Sequence, residues 1–287
     1  MKMFNLYSMH MYRATKAKST LVLGILFAAF ILIDLVMAMI LYDDILHLSI
    51  SGAMVDASLN ISRFSPSDAH NYFLTNSDAF NILLTIFAVI FTHSDYSKGF
   101  VKNTYCLFEQ KWKLVWSKWT ALMTWVTGIY VGYTLVSVGL SALLLKSFEN
   151  TGWGDFFRVF IVSYIGLVAF ITLVFLITSL FRSPAGGMVI GIIIASGLLQ
   201  TVERLIDILI ASLNDVSIQD IFLDTVGMDG GKDFFKISDY LLDNVYLSYS
   251  AASSSGDTVR TILVSVIYAV LALGLVMFLS RKKDVKC

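Results

Sequence analysis

The sequence predicts an all-α membrane protein with six transmembrane helices and both termini on the cytoplasmic side. Three observations point there. Six long apolar stretches run through the 287 residues, long enough for the roughly 20 residues that match a hydrocarbon core about 30 Å thick. Between them, basic segments alternate with acidic ones, and an excess of Lys and Arg marks the inner side of a membrane. The chain is 57% hydrophobic and 15% charged, with a mean hydropathy of +0.75. Soluble domains carry about 25% charged residues, which argues against a soluble core.

The elements follow in chain order. Residues 1–18 place Phe4, Tyr7 and Met11 at three- and four-residue spacing, with Lys2, Arg13, Lys16 and Lys18 elsewhere. That pattern predicts an interfacial helix lying among lipid headgroups; the alternative is a tail whose charges only set orientation. The first span, Ser19–Leu41, exceeds a signal-peptide core and lacks a cleavage pattern, so it reads as a retained anchor. The acidic segment Tyr42–Tyr72 reads as a loop. The second span, Phe73–Phe91, is weakened by Thr75, Asn76, Ser77, Asp78 and Asn81. Without it, the basic Lys98–Lys118 stretch would share a side with acidic Asp43–Asp78, so charge alternation restores it.

The third span, Trp116–Leu145, opens in a belt of Lys111, Trp112, Lys113, Trp116, Lys118 and Trp119, residue types that anchor at a membrane surface. A turn over Lys146–Asp155 joins it to the fourth span, Phe156–Leu180, and Phe181–Pro184 joins that to the fifth, Ala185–Ile210. The segment 211–258 is too long for a bare connection. In it Phe234, Ile237, Leu241 and Val245 share one face, which predicts an amphipathic helix resting on the outer surface or dipping into it. The sixth span is Val259–Leu279.

With this topology the inner side collects Lys2, Arg13, Lys16, Lys18, Lys98, Lys102, Lys111, Lys113, Lys118, Arg182, Arg281, Lys282, Lys283 and Lys286. Only Asp95, Glu109 and Asp284 oppose them. Cys106 and Cys287 both fall on that side, where thiols stay reduced. Nothing in the chain suggests nucleic-acid binding.

Catalytic motifs are missing. Gly230-Gly231-Lys232 is followed by Asp233 and falls on the outer side, so it is not a phosphate-binding loop. There is no HExxH and no GxSxG, and His10, His47, His70 and His93 are scattered without metal-ligand spacing. The chain is expected to bind no cofactor and to catalyse no covalent chemistry.

The stretch Asp95-Tyr96-Ser97-Lys98-Gly99-Phe100-Val101-Lys102-Asn103 resembles the first cytoplasmic loop of ABC-2-type permeases, the membrane subunits of a class of ATP-driven exporters. The six spans, inner termini, interfacial amino-terminal helix and long outer segment before the last span fit the same family. The resemblance implies that the loop between spans two and three is a coupling helix seated in a cytoplasmic ATPase subunit. Gly99 would supply a turn, Phe100, Val101, Tyr105 and Phe108 the apolar docking side chains, and Lys98, Lys102 and Glu109 a polar rim. Such a mix of aromatic anchors and charged edges suits a docking interface; the alternative is a basic loop held by anionic lipid. The resemblance further implies two ATPase subunits carrying ATP and Mg, a second permease chain as a homodimer partner, and the bacterial cell membrane as location.

Other residues have two readings. Gly128 and Gly132, and Gly187 and Gly191, stand four apart and permit close helix approach, within one chain or between two. Asp34 is the charged residue inside a span, where an acid is costly; it lines a path, pairs with a cation such as Arg158 or Arg204, or packs in a structural role. Glu203, Arg204 and Asp207 cluster at the end of the fifth span and read as a solvated outer helix end. The expected function is export of an amphipathic cargo, such as an antimicrobial or toxin peptide. A non-transporting scaffold or sensor and an intramembrane enzyme are the alternatives.

Overall fold

The computed structural model describes residues 3–42, 64–75, 78–97, 111–146, 148–181, 183–213, 236–247, 249–250 and 253–282. Helix α1 is Met3–Lys16, α2 Lys18–Tyr42, α3 Pro66–His70 and α4 Asp78–Ser97. They are followed by α5 Lys111–Leu144, α6 Trp153–Leu180, α7 Pro184–Ala195 and α8 Leu198–Leu213. A 3-10 turn at Ser238–Tyr240 leads to α9 Leu242–Leu247 and α10 Ser255–Lys282. Among the described residues there is no strand; Phe64 and Phe148 form an isolated bridge.

Among the described residues, four helices are long and apolar enough to cross a bilayer: Lys18–Ile40, Trp112–Leu144, Trp153–Leu180 and Ser255–Ser280. They correspond to the expected spans one, three, four and six. The chain is a helical, multi-pass membrane protein. Burial orders the bundle. In the most apolar windows 61% of α6 is buried, against 28% of α2 and 22% of α10. α6 is therefore the central post, and α2 and α10 turn much of their surface outward.

The two remaining spans depart from expectation. The fifth is broken: α7 and α8 meet at 57°. Gly197 takes φ +66°, and its N–H donates to Ile194 O at 3.3 Å while Ser196 N donates to Ile192 O at 2.9 Å. A left-handed glycine after the last helical turn is a regular helix stop. With 12 residues, α7 covers about 18 Å by helix rise, short of a full crossing. The second span begins later than expected. Phe73 lies in a π turn, Asn71–Thr75, and Pro66–Leu74 is inclined by 54° to Ala79–Ser94.

The end of the expected first outer loop is helical and buried. Ser65 caps α3: Asp68 N donates to Ser65 Oγ at 3.3 Å, and Ser65 N donates to Asp68 Oδ2 at 3.1 Å. This reciprocal capping box, with Pro66 in the first turn, satisfies donors that a short helix would otherwise leave open. It turns Ala69 and His70 wholly inside.

The main core gathers Phe73, Phe80, Leu84 and Phe87 with Leu122, Val126 and Tyr130, and with Leu167, Phe170, Val174 and Phe175. Rings interlock there: Phe80 and Tyr133 lie 4.7 Å apart and Tyr130 and Phe160 5.0 Å apart between centroids. In lipid, close packing of this kind is a principal force between helices. Small residues allow it. Gly191 lies against Thr85 Cγ2, and Gly187 against the Thr178 side chain, so both glycines pack α7 onto its own chain.

Candidate functional site

The expected docking elbow begins where α4 ends at Ser97. Asp95 belongs to the last turn of that helix; Lys98, Gly99, Phe100, Val101, Lys102, Asn103, Tyr105 and Phe108 lie outside the described residues. The mounts on both sides of it are described. Lys118 on α5 reaches across and donates from Nζ to Thr92 O at 2.6 Å. It is 6% exposed. A buried ammonium on a carbonyl near a helix C-terminus meets favourable helix polarity as well as a strong acceptor. Lys118 is thus a clamp between α4 and α5, not the lipid-facing anchor its Trp/Lys belt suggests. Trp119, from the same belt, also points inward and donates from Nε1 to Thr172 Oγ1 at 3.1 Å.

Helix α1 joins this end of the bundle. It buries Leu6, His10 and Ala14 and leaves Phe4 and Tyr12 exposed. Tyr7 Oη donates to Thr124 Oγ1 on α5 at 3.1 Å, and the rings of His10 and Phe91 stand 6.5 Å apart. The joint to α2 is one residue long. Thr20 Oγ1 donates to Ala14 O at 2.7 Å across it, holding α1 at a set angle to the span.

A second polar constellation lies deeper, between α3, α4, α5, α6 and α9. Tyr130 Oη donates to Phe160 O at 2.7 Å and lies 2.9 Å from His70 Nε2. A phenol has one proton, so His70 Nε2 carries its own and donates to Tyr130. Tyr246 on α9 donates to Asn81 Oδ1 at 2.9 Å, and Asn81 Nδ2 donates to Leu74 O at 3.3 Å. Polar groups at this depth need such partners because lipid offers none. The Tyr246 ring lies on Gly166, where an added Cβ would stand 2.7 Å from Tyr246 Cδ2. Sequence reading missed this group. The intramembrane Asn81 was its available signal, and it reads first as weak hydropathy.

The part of this segment that carries α9 is therefore packed into the bundle. Of the expected helix through Phe234, Ile237, Leu241 and Val245, Phe234 lies outside the described residues and the rest is interrupted: Leu241 is extended at φ −92° and ψ 136°. What forms is a 3-10 turn and the short α9, with Leu242, Val245 and Tyr246 buried.

Asp207 holds the turn. Its Oδ1 accepts from Ile237 N at 2.7 Å and its Oδ2 from Ser238 N at 3.3 Å. Glu203 and Asp207 share a face and both are buried, while Leu198, Val202, Leu205 and Leu209 are exposed. The solvated helix end expected from sequence is thus inverted: the acids face protein and the apolar side faces outward, as polar groups in a membrane environment do. Arg204 is exposed. At the start of α10, Arg260 pairs with Asp239 and Asp257, each at 2.9 Å, tying the turn to the last span.

Asp34 is half-buried on α2. Arg158, one suggested partner, pairs with Asp155 at 3.4 Å within its own helix. Unlike Gly187 and Gly191, Gly128 and Gly132 have no atom within 4 Å of an added Cβ. They line an apolar groove between α2 and α5.

Among the described residues no three His, Cys, Asp or Glu side chains come together to hold a metal. No protein-family model matches the chain, and comparison with curated proteins finds no match.

Proposed function

We propose that this chain is the permease subunit of an ABC-2-type exporter. It would cross a bacterial cell membrane six times with both termini inside, and two copies would work with two cytoplasmic ATPase subunits that hold ATP and Mg. The observation that carries the reading is the elbow Asp95–Asn103 together with its mounting. The two helices that flank it are clamped by Lys118 on Thr92, so force applied to the elbow acts on α4 and α5 as a unit. α5 in turn contacts α1, and α4 packs on α7 through Gly191 and Thr85. Those contacts link the inner surface to the broken fifth element and its outer partner α8. An amphipathic cargo, such as an antimicrobial or toxin peptide, suits a bundle whose polar layer lies beneath an apolar exterior.

Copurification tests the proposal. An ABC ATPase subunit should be retained by the wild-type chain and have its turnover raised. Phe100→Asp, or charge reversal at Lys98 and Lys102, should abolish that stimulation while the variant remains inserted. Unchanged ATPase binding and turnover in these variants would refute the docking assignment.

A further inference from the structure

A recess of about 60 Å³ opens where α1, the first turn of α2 and the last turns of α4 meet. His10, Arg13, Ser19, Thr20 and Ser94 supply its polar lining. At about 10–15 Å³ for each water-sized group, it has room for a phosphate and not for a larger polar head. Thr20 Oγ1 already donates to Ala14 O at 2.7 Å, and Ser94 Oγ to Phe91 O at 2.8 Å. The charge and the donating character of the recess therefore come from Arg13, with Ser19 beside it. No described lining residue carries a carboxylate, and the first acid in the chain is Asp34. A guanidinium has five N–H donors, so Arg13 can hold a phosphate alongside its contacts within the protein.

Its position matches that of lipid phosphates. Ser19 and Thr20 open the apolar run Lys18–Ile40, so the recess stands at the boundary between the polar and hydrocarbon regions of a bilayer. Beyond it, the same face of α2 becomes apolar and outward-facing. Val22 and Leu26 lie three and seven residues from Ser19, a spacing that keeps one helix face, and are 53% and 39% exposed. Around the mouth, Lys16 and Lys18 are exposed.

We infer that this recess binds the phosphate of an anionic phospholipid through Arg13 and Ser19, with an acyl chain lying along Val22 and Leu26. A guanidinium matches a phosphate in charge and in the geometry of its fork, and basic pockets beside membrane helices suit such heads. Lys16 and Lys18 add attraction for a net negative lipid and repel a choline or ethanolamine head. The preference is therefore for an anionic lipid over a zwitterionic one. The binding depends on contact with lipid and not on the export proposal.

The test is native mass spectrometry of the detergent-solubilised chain, titrated with dioleoyl phosphatidylglycerol or dioleoyl phosphatidylcholine. One phosphatidylglycerol should bind about tenfold or more tightly than phosphatidylcholine, by the worth of a charged partner. Excess inorganic phosphate should not displace it, because a free anion makes no contact with Val22 and Leu26. Arg13→Gln should weaken the binding about tenfold or more, and Arg13→Lys should retain more of it. Ser19→Leu should remove it by filling the recess. Lys113→Gln should leave it unchanged, since that lysine lies on α5 and outside the lining. Equal affinity for the two lipids, displacement by inorganic phosphate, unchanged binding in Arg13→Gln, or equal loss in Lys113→Gln would each overturn the inference. The lipid comparison and the phosphate competition use wild-type protein, so they decide even if a variant fails to fold. Failure here leaves ATPase copurification unaffected, and failure of copurification leaves this binding result standing.

Discussion

Gly166→Ala places a methyl group against the ring that seats α9. The new Cβ would stand 2.7 Å from Tyr246 Cδ2 and 3.3 Å from its Cβ and Cγ. Those atoms are near the backbone of a fully buried side chain whose hydroxyl is held by Asn81 at 2.9 Å, so the ring has little room to swing away. Overpacking a core costs about 1–3 kcal/mol, and loss of the Tyr246–Asn81 hydrogen bond adds about 1 kcal/mol. The total, about 2–4 kcal/mol, corresponds to a fall in melting temperature of roughly 3–7 °C for a chain of this size. Thermal unfolding in detergent measures it, and hydrogen exchange should show α9 losing protection first. The decisive measurement is the double mutant. Tyr246→Ala alone should cost about 3–5 kcal/mol by leaving a cavity. In that background the clash is gone, so Gly166→Ala should cost close to nothing. Additive costs would mean the two residues do not meet, and the seating of α9 on α6 would be wrong.

Three further outcomes follow from the same geometry. Lys118→Met keeps the stem but removes the donor to Thr92 O, and should destabilise by about 1.5–3 kcal/mol while speeding exchange in the last turns of α4; unchanged exchange there would dismiss the clamp. Asp207→Ala should cost about 1 kcal/mol as a lost cap and raise protease cleavage around 236–240, whereas an exposed acid would show neither effect. Gly191→Ala should destabilise by about 1–3 kcal/mol because its Cβ would meet Thr85 Cγ2 at 2.6 Å. Thr85→Ser removes that methyl and should rescue it, as judged by melting temperature.

Much of the architecture is readable in the chain because long apolar runs have one outcome in lipid. α2, α5, α6 and α10 lie where hydropathy puts them. The errors arise where a local signal competes with a global one. Ser196-Gly197 is a helix stop, but it sits inside an apolar run that reads as continuous. Ser65-Pro66-Ser67-Asp68 is a capping box hidden in a polar segment that reads as loop. Lys118 lies in a Trp/Lys belt, and only the path of α4 past it reveals that its ammonium meets Thr92. Tyr246 and Asn81 stand 165 positions apart, and no periodicity relates residues at that distance. Glu203 and Asp207 have the spacing of a shared face, which sequence does show; which way that face turns depends on what lies beside it.

The break after α7 carries a consequence for how the molecule is made. An element about 18 Å long cannot bridge a bilayer by itself, and the Leu242–Tyr249 piece that enters beside α6 is synthesised only after α8 and the segment following it. A nascent chain ending at Leu213 would hold α7 half-inserted, with the Gly166 notch vacant and the carboxylates of Glu203 and Asp207 still awaiting the turn that Asp207 secures. Assembly of this bundle is thus finished by late-arriving residues, which must seat beside α6 before the final helix can lock against it.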